Sequence, residues 1–295
     1  MELKINKKSG SLAAEVTGVD LSKPLSNDVF QEILSAWHGN LLLIFPEQKI
    51  TKEEHIEFSR RFGDLEVHPS GKHVLKDHPE LLWLTNEQDS EGKYVSLRDG
   101  GSIWHSDLSY MALPSRCSLL YAIDVPEDGG DTEWANMYRA YDTLPEYLKI
   151  KIADLKAVHQ FDLADNPRFD PPSGMTEEDK IGSIWEKKSA EAKARTPDVI
   201  HPVVRTHDVT KRKALFVNRR FTTHVFDMDA SEGEELLLEL FDHLERPENV
   251  YHHSWSVDQL LLWDNRCTVH LACGAVPDNQ LRTMLRTTVR GDIPV

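Results

Sequence analysis

Three stretches of the chain repeat apolar side chains at helical spacing. Phe30, Ile33, Leu34 and Trp37 follow the i, i+3, i+4, i+7 pattern behind Ser26, a residue suited to capping a first turn. Thr51 with Glu54 reads as a capping box ahead of a helix that buries Phe58 and Phe62. Ser231 with Glu234 repeats the device before a stripe of Leu237, Leu240, Phe241 and Leu244 that Pro247 stops. Between these lie short apolar runs that predict strands over 41–45, 118–125, 214–218, 259–264 and 284–289. Long irregular insertions separate the strands, so the chain lacks the even strand–helix alternation of a doubly wound sheet. The pattern predicts one domain over 1–295, mainly β with flanking helices, a β-sandwich or jelly roll. The stretch from about 164 to 198 departs from it. Rich in Pro, Asp, Glu, Lys and Ala, it reads as a polar insertion, either plain surface loop or an active-site lid.

Composition narrows the class. No apolar run approaches the roughly 20 residues needed to span a bilayer, and the first eight residues lack the apolar core of a secretory signal. Cys117, Cys267 and Cys273 cannot all pair and are not spaced like a zinc site, so a reducing cytoplasm is the expected location. The formal net charge of −15 argues against a nucleic-acid or anionic-membrane partner, because both demand basic surface. Any anion bound by so acidic a chain must be held by a few locally placed arginines.

Trp104-His105-Ser106-Asp107, taken with the distant Trp263-Asp264-Asn265-Arg266-Cys267-Thr268-Val269-His270, carries the candidate chemistry. His105 and Asp107, two apart, share a face if the segment is an extended strand. With His270 they make the ligand set of a facial two-histidine, one-carboxylate iron site. Three ligands on one side leave the other positions open, as catalysis requires and a structural metal site does not. His201 and the pair His252-His253 match no ligand spacing and are expected to be exposed or hydrogen-bonded.

These motifs resemble those of the iron(II)/2-oxoglutarate-dependent dioxygenases related to taurine dioxygenase and the phenoxyacetate-herbicide dioxygenase. The likeness extends over nearly the whole chain. It takes in Ala14-Glu15-Val16-Thr17-Gly18-Val19-Asp20-Leu21, Phe58-Ser59-Arg60-Arg61-Phe62-Gly63-Asp64-Leu65, Gly129-Gly130-Asp131-Thr132, Leu215-Phe216-Val217-Asn218 and Arg282-Thr283-Met284-Leu285-Arg286. The resemblance implies a double-stranded β-helix, a distorted jelly roll with Fe(II) at its mouth, and 2-oxoglutarate and O2 as co-substrates. It implies that Arg282, helped by Thr132, pairs the distal carboxylate of 2-oxoglutarate, whose unpaired burial would be costly. It further implies that Arg286 holds the anionic head of the primary substrate, that His68 assists it, and that Phe161 and Phe221 wall the pocket. Asp107 argues against halogenation, which needs that carboxylate replaced. Self-association is common in the family.

The expected activity is therefore hydroxylation of a small organic anion, an alkylsulfonate such as taurine or an aryloxyalkanoate, with release of succinate and CO2. Collapse of the product would free sulfite or a phenol. The segment Val95-Ser96-Leu97-Arg98-Asp99-Gly100-Gly101-Ser102-Ile103 differs from the Asn-rich approach of the taurine enzyme, so Arg98 and Asp99 are candidates for recognising a different polar group. Two other readings stay open from the residues alone. The same His/Asp/His set could hold zinc or manganese for hydrolysis, or the fold could bind 2-oxoglutarate without turnover.

Overall fold

The computed structural model describes residues 2–69, 71–96, 101–162, 166, 168–181, 183–274, 276–277 and 279–295. It is mainly β, with several sheets and a smaller set of helices. The largest sheet has seven strands in the order Lys4–Lys7, Ala14–Thr17, Leu42–Phe45, Leu260–Asp264, Ser115–Asp124, Thr283–Arg290 and Leu82–Thr85. Its pairs are antiparallel except for Ala14–Thr17 beside Leu42–Phe45.

The unbroken apolar run at Leu42–Phe45 follows from burial on both faces. Strand side chains alternate sides. Leu42 and Ile44, with Leu261 and Trp263 on the neighbouring strand, point into a core shared with Trp134, Leu237, Leu240 and Phe241. Leu43 and Phe45, with Leu260 and Leu262, point the other way, onto Phe30, Ile33, Trp37, Phe58 and Phe62. All but Phe62 belong to the helices Asn27–Asn40 and Lys52–Arg60, and Phe62 lies in the turn just past the second. Ser26 caps the first of these helices, and the Thr51–Glu54 capping box opens the second, as expected.

On the opposite side of the large sheet lies a three-stranded sheet, Val250–His253, Thr132–Asn136 and Thr268–Ala272. A second three-stranded sheet comprises Thr222–Val225, Lys156–His159 and Val199–Pro202. The helix Ala230–Leu244 buries Leu236, Leu237, Leu240, Phe241 and Leu244. Its cap corrects the expectation of a Ser231–Glu234 box. The N-cap is Asp229, whose carboxylate takes the N–H groups of Ser231 and Glu232 at 3.0 and 3.2 Å. Glu234 instead receives Arg168 Nε at 2.7 Å. The run predicted over 214–218 is also shorter, a strand of Lys213–Leu215 only, because Asn218 turns to bond Ser109 Oγ and the Phe221 N–H. Within the polar insertion stand two short helices, Glu177–Lys180 and Ala190–Arg195. Among the described residues no helix is long and apolar enough to cross a membrane.

Candidate active site

The turn between Leu260–Asp264 and Thr268–Ala272 joins the two halves of the motif. Arg266 is buried and grips Asp264 through Nε and Nη2 at 2.8 and 2.6 Å, while His207 Nε2 stands 3.1 Å from the same carboxylate. The neighbouring Asn265 reaches across to the other motif. Its Oδ1 accepts the Asp107 N–H at 3.2 Å, its carbonyl accepts Ser106 Oγ at 2.8 Å, and its Nδ2 donates to Ser118 Oγ at 2.9 Å.

His105 and His270 face each other in an isolated antiparallel bridge, exchanging N–H···O bonds of 3.0 and 2.7 Å. Here the structure refines the expectation of a regular strand through His105 and Asp107. Only His105 has ladder partners; Asp107 begins a turn, and Leu108 beside it adopts φ 55, a left-handed conformation that costs an L-residue energy. Leu108 is held there by Tyr110 and Phe221. The outcome is the predicted convergence. One atom each of His105, Asp107 and His270 lies within 4.8 Å of the others, and all three side chains are buried. His105 Nε2 is 3.9 Å from Asp107 Oδ1, and His270 Nε2 is 4.0 Å from Oδ2.

The protonation states suit a divalent cation. His105 Nδ1 is 2.8 Å from the Ile103 carbonyl, so it carries the proton and Nε2 keeps its lone pair. Burial drives His105 far below the usual imidazole range and His270 down to about 4, which keeps both rings neutral. His270 is oriented by packing, its ring 4.9 Å from that of Trp263 and 6.3 Å from that of Trp134. Burial alone would raise Asp107, but the Arg286 charge and the Ser118 hydrogen bond help hold the carboxyl well below its ordinary range. Two neutral imidazoles and a carboxylate on one side fit an open, six-coordinate metal.

Apart from Arg98 and Asp99, the residues given a metal, co-substrate or substrate role from sequence all line one cavity of about 410 Å³. Arg282 Nε donates to the Gly130 carbonyl at 2.8 Å, and Nη2 is 3.5 Å from Thr132 Oγ1. Gly130 has φ +71 and its Cα faces the Arg282 stem so closely that an added Cβ would lie 2.9 Å from Cδ. Burial brings Arg282 down to about 10, still cationic at neutral pH. Arg286 contacts the candidate ligand Asp107 itself, Nη1 lying 2.6 Å from Oδ1. Burial and Arg286 push His68 down to about 3, so it is a neutral ring. Phe161 and Phe221 flank Tyr110, their ring centres 4.4 and 4.8 Å from it. Arg98 and Asp99 lie outside the described residues. Of the histidines given no ligand role, His201 bonds the Met111 carbonyl, His253 bonds Gln259, and His252 sits between Asp131 and Glu133.

Tyr110 and Arg220 are among the cavity residues that the sequence motifs do not mark. Tyr110 stands three residues past Asp107 with no motif to mark it. Arg220 is buried and stacks on Phe221 at 4.8 Å, whereas the adjacent Arg219 turns outward to Asp242 and Glu245. Nothing in the dipeptide Arg219-Arg220 tells which of the two points inward.

The sequence profile described as "Taurine catabolism dioxygenase TauD, TfdA family" matches residues 5–288. The chain belongs to this family. Its homologues are alpha-ketoglutarate-dependent dioxygenases, and this TauD/TfdA protein is an enzyme of that class, which sets aside hydrolysis and binding without turnover. It is 34% identical to the alpha-ketoglutarate-dependent 2,4-dichlorophenoxyacetate dioxygenase of Cupriavidus pinatubonensis, over 88% of each chain. It is 30% identical to the (S)-phenoxypropionate/alpha-ketoglutarate-dioxygenase of Sphingobium herbicidovorans, over 96% of this chain and 93% of that one. Among solved structures, AAD-2 in complex with Mn(II) and N-oxalylglycine superposes with a TM-score of 0.80 at 31% identity, covering 100% of the TauD/TfdA chain and 99% of the other.

Proposed function

We propose that this dioxygenase uses Fe(II) held by His105, Asp107 and His270 to hydroxylate a small organic anion with an apolar body, of the aryloxyalkanoate kind. We take its fold as a double-stranded β-helix in one domain, working in the cytoplasm. The observation that carries the reading is the meeting of those three donors in the cavity that Arg282 and Arg286 also line.

Bound Fe(II) would supply the activation of O2 that oxidises 2-oxoglutarate to succinate and CO2. The chain's own residues do the rest. Arg282 pairs the distal carboxylate of 2-oxoglutarate: with Nε committed to Gly130, its Nη groups remain for an anion, and Thr132 stands beside them. Such charge-assisted bonds contribute about 1.5–3 kcal/mol each. Arg286 and Arg220 attract the substrate's carboxylate, and neutral His68 adds a donor without adding charge. Leu82, Leu84, Leu120, Phe161 and Phe221 offer an apolar enclosure that suits an aromatic ring and excludes water. Hydroxylation at the carbon bearing an aryl ether oxygen gives a hemiacetal, which breaks its C–O bond to release a phenol and leave an aldehyde.

The polar insertion acts as a lid in this reading, supported by Ile181, Glu186 and Lys188, which line the same cavity. The test is a succinate-release screen of the iron-loaded enzyme against aryloxy acids and alkylsulfonates, with phenol and sulfite measured separately. Phenol release that is lost in Asp107→Ala is expected. Wild-type turnover by Asp107→Ala would overturn the metal assignment, and sulfite without phenol would overturn the substrate class.

A further inference from the structure

On the three-stranded sheet, register gathers residues that the sequence keeps far apart. Glu133 lies opposite His252 on one neighbouring strand and opposite Leu271 on the other. Two residues past Leu271, Cys273 donates its N–H to the Asp131 carbonyl at 2.9 Å. A carboxylate oxygen of Glu133, a ring nitrogen of His252 and Cys273 Sγ all fall within 4.8 Å of one another.

The imidazole in this group is braced from behind. His252 Nε2 is 2.8 Å from Asp131 Oδ2, and Ser254 Oγ donates to that same oxygen at 3.1 Å. A carboxylate only accepts, so Nε2 directs its proton at Asp131, and Nδ1 is the nitrogen left to ligate a cation. Nδ1 is 3.1 Å from Glu133 Oε1, on the side of the carboxylate ligand. A carboxylate holding the far nitrogen of a ligating histidine is the usual support of protein metal sites. The bracing is an observation separate from the clustering of the ligands.

We propose that Glu133, His252 and Cys273 form a second metal site for a zinc-like divalent cation, distinct from the His105–Asp107–His270 centre. Zinc accepts sulfur, imidazole and carboxylate together in a tetrahedron, whereas magnesium and calcium favour oxygen alone. His252 and Cys273 are exposed, so the fourth position is open to solvent. Without a cation, the bonds to Glu133 and Asp131 raise His252, while burial, Glu133 and Asp131 push Cys273 up to about 11. Cys273 is then a thiol at neutral pH, and binding displaces the proton from Sγ. The site adjoins the 2-oxoglutarate end of the cavity. Asp131 precedes Thr132, and Gly130, which accepts Arg282 through its carbonyl, donates its N–H to Gly274 at 2.8 Å. A cation bound here fastens together the strand ends that present Thr132 and Arg282.

Cobalt(II) titration of the full-length chain tests the proposal. The His105–Asp107–His270 centre has no sulfur ligand, so a thiolate-to-cobalt charge-transfer band in the near ultraviolet that depends on Cys273, and not on the buried Cys267 beside His207 and Asp264, reports on the second site. The band should saturate with one equivalent of metal beyond that taken by the first centre, and zinc should bleach it while magnesium does not. It should persist in Asp107→Ala, vanish in Cys273→Ser, and require at least about tenfold more cobalt in His252→Ala. Absence of the band at millimolar cobalt, or its survival in Cys273→Ser, would overturn the site.

Discussion

Replacing Arg286 by glutamine separates the two duties proposed for one guanidinium. Nη1 lies 2.6 Å from Asp107 Oδ1, and both side chains are buried in the cavity wall. The substitution removes a cation from the substrate pocket and a charge-assisted bond from a proposed metal ligand. Loss of one such bond to the substrate anion costs about 1.5–3 kcal/mol. At about 1.4 kcal/mol per decade, the substrate KM should rise roughly 10- to 150-fold. The second loss registers elsewhere, as a fall in kcat and weaker Fe(II) retention, because Asp107 stays buried with one partner fewer. Arg220→Gln provides the contrast: it should raise the substrate KM with kcat near wild type. In both variants the KM for 2-oxoglutarate should stay within about twofold, since Arg282 is anchored separately on Gly130. Initial rates of succinate release, with each substrate varied at saturation of the other, give all four constants. Equal rises in both KM values, or an unchanged substrate KM in Arg286→Gln, would refute this division of labour.

Ser118 Oγ donates to Asp107 Oδ2 at 2.6 Å, so Ser118→Ala should weaken Fe(II) binding by about 10- to 100-fold, measured by chelator competition; an unchanged affinity would remove its positioning role. Gly130→Ala forces a side chain into φ +71 and against Arg282 Cδ at 2.9 Å. At roughly 1–2 kcal/mol of strain it should raise the KM for 2-oxoglutarate about tenfold and spare that of the substrate. Acid stability should track His55, which is 1% exposed and held by burial at about 4 against an ordinary 6.5. Below pH 6.5 the unfolded chain takes up a proton that the folded chain refuses until about pH 4, so stability falls with pH across that window. The gap corresponds to roughly 3 kcal/mol. Urea midpoints at neutral and mildly acidic pH should converge in His55→Gln relative to wild type, and an unaltered slope would contradict the assignment.

Much of this architecture was legible before any coordinates. Leu260, Leu261 and Leu262 announced a strand, and Thr51 with Glu54 marked a helix start, because periodicity and capping are local properties of the chain. The His105–Asp107–His270 meeting was legible through spacing and family likeness, although the bridge that achieves it is a tertiary feature. What stayed hidden depended on direction and register. Arg219 and Arg220 are the same residue type side by side, and only the fold sends one outward and the other into the cavity. Arg286 was expected to serve the substrate, but its bond to Asp107 arises from two segments far apart in sequence. Asp229 displaced Ser231 as cap because its carboxylate accepts the N–H groups of Ser231 and Glu232, which starts the helix two residues earlier.

The reciprocal main-chain bonds between His105 and His270 carry a broader consequence. A chelating pair locked by its own peptide groups behaves as a rigid mould whose gape is set by β-geometry. Little reorganisation then accompanies filling or emptying, and bare protein should not sag when stripped of its ion. With only three donors and an open side, the site still discriminates poorly by size: manganese, cobalt and nickel should all seat readily. The identity of the resident ion is then decided by cellular abundance and intrinsic ligand preference rather than by the shape of the socket.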